Sequence, residues 1–185
     1  MSEVSAIVTN KTRLSLIQGD ITRQKTDAIV NAANSGLMGG GGVDGAIHRA
    51  GGSAILDDCK KIVSRIGRLD TGKAVITTGG KLQAKHVIHT VGPVWRGGSR
   101  GEAELLASAY RESLKLAADY KLNSLSFPSI STGIYSYPLD AAAKIALDTI
   151  IAFLRDTPTS LKEVTFVLFD SRTYQAYSTE LAKKQ

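Results

Sequence analysis

The sequence predicts an α/β protein, folded as a three-layer α/β/α sandwich. Two observations lead there. Short β-branched runs alternate along the chain with stretches of helical apolar spacing. The run Val164–Phe169 (VTFVLF) is almost continuously apolar, the pattern of a strand covered on both faces. In such sheets ligands sit in the crevice beyond the carboxyl ends of the strands, so the loops that follow strands are the places to look for a site. A length of 185 residues suits one domain with a sizeable core. No linker, low-complexity tract or repeat divides the chain, so residues 1–185 are read as a single domain.

The elements are expected in this order. Arg13–Gln18 (RLSLIQ) alternates as a strand should, and Ala28–Asn31 (AIVN) is a short buried strand. A helix opens near Val43 (VDGAIHRA), and Ser53–Ile66 carries helical spacing with Ser53 as its N-cap. Ala74–Thr78 (AVITT) and His86–Val91 (HVIHTV) are β-branched strands. Glu102–Tyr120 is a long amphipathic helix. Ser124–Phe127 is a strand stopped by Pro128. Ala141–Arg155 is a helix capped by Asp140, Val164–Phe169 a strand, and Arg172–Lys184 the closing helix.

Composition excludes several classes. One cysteine, Cys59, rules out an intramolecular disulfide and a multi-cysteine zinc site. The opening MSEVSAIVTNKTRL lacks the apolar core of an export signal, and no apolar run approaches the roughly 20 residues of a membrane span. A cytoplasmic protein with no membrane partner is expected. The net charge of +6 suits an anionic partner, although scattered Lys and Arg equally serve to solvate a surface. Aromatics, at 6%, do not interleave with basic residues as base-stacking platforms would.

Three motifs match known chemistry in part and fail on context. Gly40–Gly45 (GGGVDG) fits G-x-G-x-x-G. The preceding strand ends too early, and Lys60 stands where a dinucleotide fold needs an acid. Gly67–Ala74 (GRLDTGKA) nearly fits a P-loop, but Ala74 replaces the magnesium-binding hydroxyl and a strand follows where a helix is needed. Ile130–Gly133 (ISTG) resembles part of a nucleophile elbow, yet His48, His86 and His89 all lie upstream of it. His86 and His89 are three apart in one strand, so they point to opposite faces and are read as structural. His48 is read as a packing residue. No metal-ligand cluster and no cofactor are expected.

The stretch NAANSGLMGGGGVDG at 31–45 is informative because consecutive glycines let backbone N–H groups converge with no Cβ in the way. Such nests bind anions, and a helix starting just after them adds its free N–H groups and positive dipole end. SISTGIY at 129–135 supplies a second small-residue loop after another strand, so the two could clamp a diphosphate.

Here the motifs become specific. GDI at 19–21, IVNAAN at 29–34, GGGGVDGAIHRAGG at 39–52, HTVGP at 89–93 and FPSISTGIYSYP at 127–138 resemble the macrodomain family, and within it the MacroD-type ADP-ribosyl hydrolases. The resemblance runs from about Arg13 to the last helix. One departure is Gly51-Gly52, where many members have Ala-Gly. The family implies a mixed, mostly parallel sheet and an ADP-ribose cleft without metal or cofactor. It implies that Asp20 accepts a hydrogen bond from the adenine amino group beside Ile21, with Phe169 or Asp170 lining that pocket. Gly42, Val43, Asp44, Gly45, Ala46 and Ile47 would surround the diphosphate and distal ribose. Ser131, Thr132, Gly133 and Ile134 would bind the diphosphate, and Tyr135 would pack on the distal ribose. Asn34 would hold a distal ribose hydroxyl and Asn31 would brace the loop.

Asp44 is the candidate general base and Asn34 its catalytic companion; the plainer reading of Asp44 is a helix N-cap. The resemblance implies a hydrolase, and a monomer is expected. It would remove mono-ADP-ribose from acidic side chains of proteins, deacetylate O-acetyl-ADP-ribose, or both. ADP-ribose carried on nucleic acid is a further substrate the basic surface is compatible with. The competing readings are a reader that binds ADP-ribose without turnover, and an oxidoreductase resting on G-x-G-x-x-G alone.

Overall fold

The computed structural model describes residues 5–185; residues 1–4, where the segment read for an export signal begins, lie outside them. Seven strands form one sheet in the order β1-β2-β7-β6-β3-β5-β4. They are β1 (Ala6–Thr9), β2 (Thr12–Gln18), β3 (Ala28–Ala32), β4 (Ala74–Thr78), β5 (His86–Thr90), β6 (Ser124–Phe127) and β7 (Glu163–Leu168). The pairs β2–β7, β7–β6, β6–β3 and β3–β5 are parallel, while β1–β2 and β5–β4 are antiparallel. The sheet is therefore mixed and mostly parallel, as expected, with its antiparallel strands at the two edges.

Among the described residues five α-helices cover it: α1 (Gly42–Gly51), α2 (Ser53–Ile66), α3 (Glu102–Asp119), α4 (Leu139–Asp156) and α5 (Ser171–Ala182). Strand side chains alternate between faces, and β3 shows how this splits the core. Ala28 and Val30 join the cluster formed with α3, α4 and α5, where Leu106, Tyr110, Leu147 and Tyr177 are buried. Ile29, on the other face, joins Ile47, Ile55 and Cys59 of α1 and α2. Three layers result, with α3–α5 on one side and α1–α2 on the other.

The structure adds β1, a half-exposed edge strand whose short AIVT gives little periodicity to read. It reaches β2 through a turn in which Asn10 and Lys11 both take positive φ, the geometry that matches strand twist. Two cap expectations change, and a third cap is new. Ser53 is the first helical residue and Gly52, at φ 76, occupies the cap position. Helix α4 starts at Leu139 after Pro138, placing Asp140 inside its first turn rather than at its cap. Asp170 caps α5 by accepting a hydrogen bond from the Thr173 N–H at 2.8 Å. No helix among the described residues is long and apolar enough to cross a membrane.

Candidate active site

The parallel strands β2, β3, β6 and β7 point their carboxyl ends the same way, and the loops leaving them enclose a cleft of about 740 Å³. That volume is in the range of small-molecule sites. Asp20 and Ile21 follow β2, Asn34 follows β3, the 128–135 loop follows β6, and Phe169 and Asp170 follow β7. Gly42, Val43, Asp44 and Ala46 reach the cleft from the start of α1, and Ser131, Thr132, Gly133, Ile134 and Tyr135 from the loop opposite.

Two expected lining residues do not reach it. Ile47 is fully buried in the core under α1. Gly45 faces inward: a Cβ there would stand 2.5 Å from the Gly40 carbonyl oxygen, so glycine is what lets the loop fold onto the helix. Arg49, which the sequence reading missed, lines the cleft one turn further along α1. Its place three residues after Ala46, on a helix opening at the loop, was the available signal.

Both rims offer unpaired backbone donors. The first N–H groups of α1 have no carbonyl ahead of them in the helix. Across the cleft, the N–H groups of residues 131–135 donate to no acceptor among the described residues. This second loop is held from beneath. Tyr110 accepts the Ile130 N–H at 2.9 Å, and the Tyr177 hydroxyl donates to Ser129 Oγ at 2.8 Å. Ser131 sits at φ 68 with a buried hydroxyl that has no partner. Ile134, 80% exposed, extends toward Gly41 on the facing rim.

At one end of the cleft Asp20 caps a short 3-10 helix (Ile21–Arg23). Its Oδ1 accepts from the Thr22 N–H at 2.9 Å and the Thr22 hydroxyl at 2.7 Å, and these bonds hold its carboxyl below the usual range. Oδ2 carries only a 3.9 Å approach from Arg23. The cap and ligand readings of Asp20 thus coexist, one oxygen for each. Phe169, 85% exposed on the lip, offers a free ring face nearby.

At the other end Asp44 lies inside α1, two residues beyond its first residue, and caps nothing. It is 5% exposed. Its Oδ1 accepts from Asn31 Nδ2 at 2.8 Å and lies 3.4 Å from His48 Nε2. Its Oδ2 takes no hydrogen bond among the described residues and sits beneath Gly40, where a Cβ would stand 3.1 Å from it and 3.3 Å from Asn34 Nδ2. Both candidate catalytic side chains therefore approach Gly40 from beneath the glycine loop. The loop-bracing expected of Asn31 falls to Asn34. Asn34 braces the loop, donating to the Gly39 carbonyl at 3.0 Å and accepting the Leu37 N–H at 3.2 Å. Asn31 does not brace it; it reaches Asp44 and, at 3.1 Å, His89 Nδ1.

The expectation that no metal-ligand cluster exists also changes. His48, Cys59 and His89 bring donor atoms within 4.8 Å of one another, because α1 and α2 pack on the face of the sheet to which His89 of β5 points. Hydrogen bonds already commit this group. Thr77 Oγ1 donates to the Thr78 carbonyl and so accepts from His89 Nε2 at 2.9 Å, leaving that nitrogen protonated rather than free to ligate. Burial holds the His89 imidazole at about 3, far below its usual range, and pushes the Cys59 thiol up to about 11. His86 points to the opposite face, as expected, against Tyr120 at the end of α3.

A family model described as "Macro domain" matches residues 30–146. A Salmonella newport protein named O-acetyl-ADP-ribose deacetylase is 57% identical over 173 residues, covering 93% of this chain and 96% of that one. Among solved structures, an Oceanobacillus iheyensis macrodomain with ADP superposes with a TM-score of 0.92 at 46% identity, covering 97% of this chain and 95% of that one. A Trypanosoma brucei macrodomain in complex with ADP-ribose gives a TM-score of 0.83 at 39% identity, covering 91% and 68%.

Proposed function

The chain belongs to the Macro domain family, and from that premise we propose that it is a single-domain cytoplasmic hydrolase that binds ADP-ribose. It cleaves O-acetyl-ADP-ribose, the ester bond between ADP-ribose and acidic side chains of proteins, or both. The observation that carries this is the approach of both Asp44 and Asn34 to Gly40 from beneath, at one end of a cleft whose rims hold unpaired N–H groups.

The ligand is read from one end to the other. Asp20 Oδ2 accepts a hydrogen bond from the adenine amino group; guanine would present a carbonyl oxygen there and be repelled. Phe169 covers the base. The diphosphate lies between the N–H groups at the start of α1 and those of residues 131–135, in the positive end of the helix dipole. Asn34 keeps one amide hydrogen for a distal ribose hydroxyl, and Tyr135 packs on that sugar.

Asp44 Oδ2 then faces the reacting ester. It takes a proton from a water whose oxygen bonds to the ester's acyl carbon or to the ribose anomeric carbon. The corresponding C–O bond breaks, and the proton passes on to the departing oxygen. A base so placed is worth about 10²–10⁴-fold in rate.

The test is hydrolysis of O-acetyl-ADP-ribose and of a glutamate-linked ADP-ribosylated protein in excess chelator, comparing wild type with Asp44→Ala, with ADP-ribose affinity measured on both. Turnover by wild type, lost about 100-fold or more in the variant at nearly unchanged affinity, supports the reading. ADP-ribose binding by wild type without turnover of either ester would make the protein a reader instead.

A further inference from the structure

Across the face of the sheet under α1 and α2, a file of buried polar residues crosses three neighbouring strands. Thr77 stands on β4, His89 on β5 and Asn31 on β3, and Asn31 and His89 are direct register partners. All three are buried, and their bonds end on Asp44.

One consistent set of hydrogen directions runs through the file, starting from a Thr77 hydroxyl that donates to the Thr78 carbonyl. Thr77 spends its one hydroxyl hydrogen on the Thr78 carbonyl, so it can only accept from His89. His89 therefore carries its hydrogen on Nε2 and shows a bare lone pair at Nδ1. That lone pair accepts one amide hydrogen of Asn31, and the same nitrogen of Asn31 donates to Asp44 Oδ1. Turned over, the Asn31 amide would place its oxygen against the carboxylate. The native orientation instead leaves Asn31 Oδ1 buried with no partner. A side chain held with its carbonyl unsatisfied is held by what its amide hydrogens do.

We propose that His89, oriented by Thr77, is a positioning residue for the hydrolysis: acting through Asn31, it fixes which carboxylate oxygen of Asp44 faces the cleft. His89 touches neither cleft nor substrate. Its neutral imidazole supplies the acceptor that pins the amide, and the pinned amide occupies Oδ1, so Oδ2 alone is presented beneath Gly40. Without that acceptor the amide can rotate to satisfy its own oxygen, and Asp44 loses the bond that orients it. Misplacing a reacting group by about an ångström costs on the order of 10²-fold in rate. The proposal rests on the hydrolase reading of Asp44.

The experiment combines a spectroscopic signature with a kinetic split. Nitrogen-15 NMR of histidine-labelled wild type reads the tautomer directly: His89 Nδ1 is expected to be pyridine-like and Nε2 pyrrole-like at neutral pH. The opposite assignment, or loss of the Nε2 hydrogen, overturns the proposal without reference to activity. In the second arm His89→Leu removes the acceptor, while His89→Asn offers a carbonyl oxygen near the Nδ1 position. His89→Leu is expected to lower kcat by about 10-fold or more with KM and ADP-ribose affinity within about twofold, and His89→Asn to recover most of the rate. Thr77→Val covers the case in which His89→Leu does not fold, and should lower kcat in the same sense. Wild-type kcat in the folded His89→Leu and Thr77→Val proteins overturns the proposal, as does an Asn variant no faster than Leu. Failure of wild type to turn over either ester overturns the hydrolase reading itself, which separates the two failures.

Discussion

Asn31 Nδ2 donates to Asp44 Oδ1 across 2.8 Å, and this bond ties the centre of the sheet to the first turn of α1. A neutral donor faces a carboxylate, so the pair involves one charge only. Asn31→Asp keeps the shape and puts a second carboxylate at the same distance. Two carboxyls that close cannot both ionise, and one must hold a proton. That proton is bound in the folded state at a pH where the unfolded chain has released it, so the variant loses stability as pH rises. Denaturant unfolding should show Asn31→Asp less stable than wild type by about 2 kcal/mol or more at pH 8. The gap should narrow at pH 5. A gap independent of pH would mean the two side chains move apart and the bond is not built in.

Asp20, on the cleft, gives Oδ1 to the Thr22 cap and leaves Oδ2 with only a 3.9 Å approach from Arg23. Asp20→Ala removes both. Loss of the cap is worth about 1 kcal/mol of stability. Loss of the acceptor should weaken ADP-ribose binding about 10-fold and, more tellingly, abolish the preference for ADP-ribose over GDP-ribose. Calorimetric titration with the two nucleotides checks this. An undiminished preference in the variant would assign Asp20 to the cap alone.

Ser131 Oγ is buried and unpartnered on the rim we propose for the diphosphate. The free protein gains nothing from that hydroxyl, since desolvating it is uncompensated. Ser131→Ala should leave the free protein as stable as wild type or about 1 kcal/mol more stable, because an orphaned polar group is removed. ADP-ribose affinity should fall about 5- to 10-fold, the worth of one bond to a charged group. Thermal unfolding with and without ADP-ribose reads both effects. A variant destabilised when free would show that the hydroxyl has a structural partner.

The sequence announced the fold and the cleft but not the wiring beneath it. Ala74–Thr78, Ser124–Phe127 and Ser53–Ile66 are where their spacing placed them, because apolar periodicity is a local property. The glycine loop was legible for the same reason: its composition speaks of close backbone approach wherever it is folded. Gly45 and Ile47 show the limit. They lie within the motif, but a helix turns successive residues by about 100° and carries them away from the cleft. Asn31 and Asn34 differ by three positions and by nothing in chemistry. Only the pairing of β3 with β5, which brings His89 beside Asn31, decides which asparagine serves Asp44. The grouping of His48, Cys59 and His89 is a product of packing between distant segments, and spacing along the chain carries no trace of it.

His89 should make the protein acid-sensitive well above the carboxylate range. Its imidazole ordinarily titrates near 6.5 and is held at about 3 in the fold, chiefly by burial and then by the nearby His48. Between those values the unfolded chain binds a proton that the folded protein refuses, so stability rises with pH and is lost as pH falls from 6.5 toward 3. One such proton gives a slope of about 1.4 kcal/mol per pH unit. The carboxyls held low by hydrogen bonds, Glu102 at about 2 and Asp20 below 3.8, add their own loss only as pH falls through the ordinary carboxylate range. The interval from pH 6.5 to 4.5 therefore isolates the histidine. Urea unfolding across that interval should show stability falling in wild type, with one proton's slope absent from His89→Asn. Equal slopes in the two proteins would mean that His89 takes up its proton in the folded state, and the neutral imidazole that faces Asn31 would not survive mild acid.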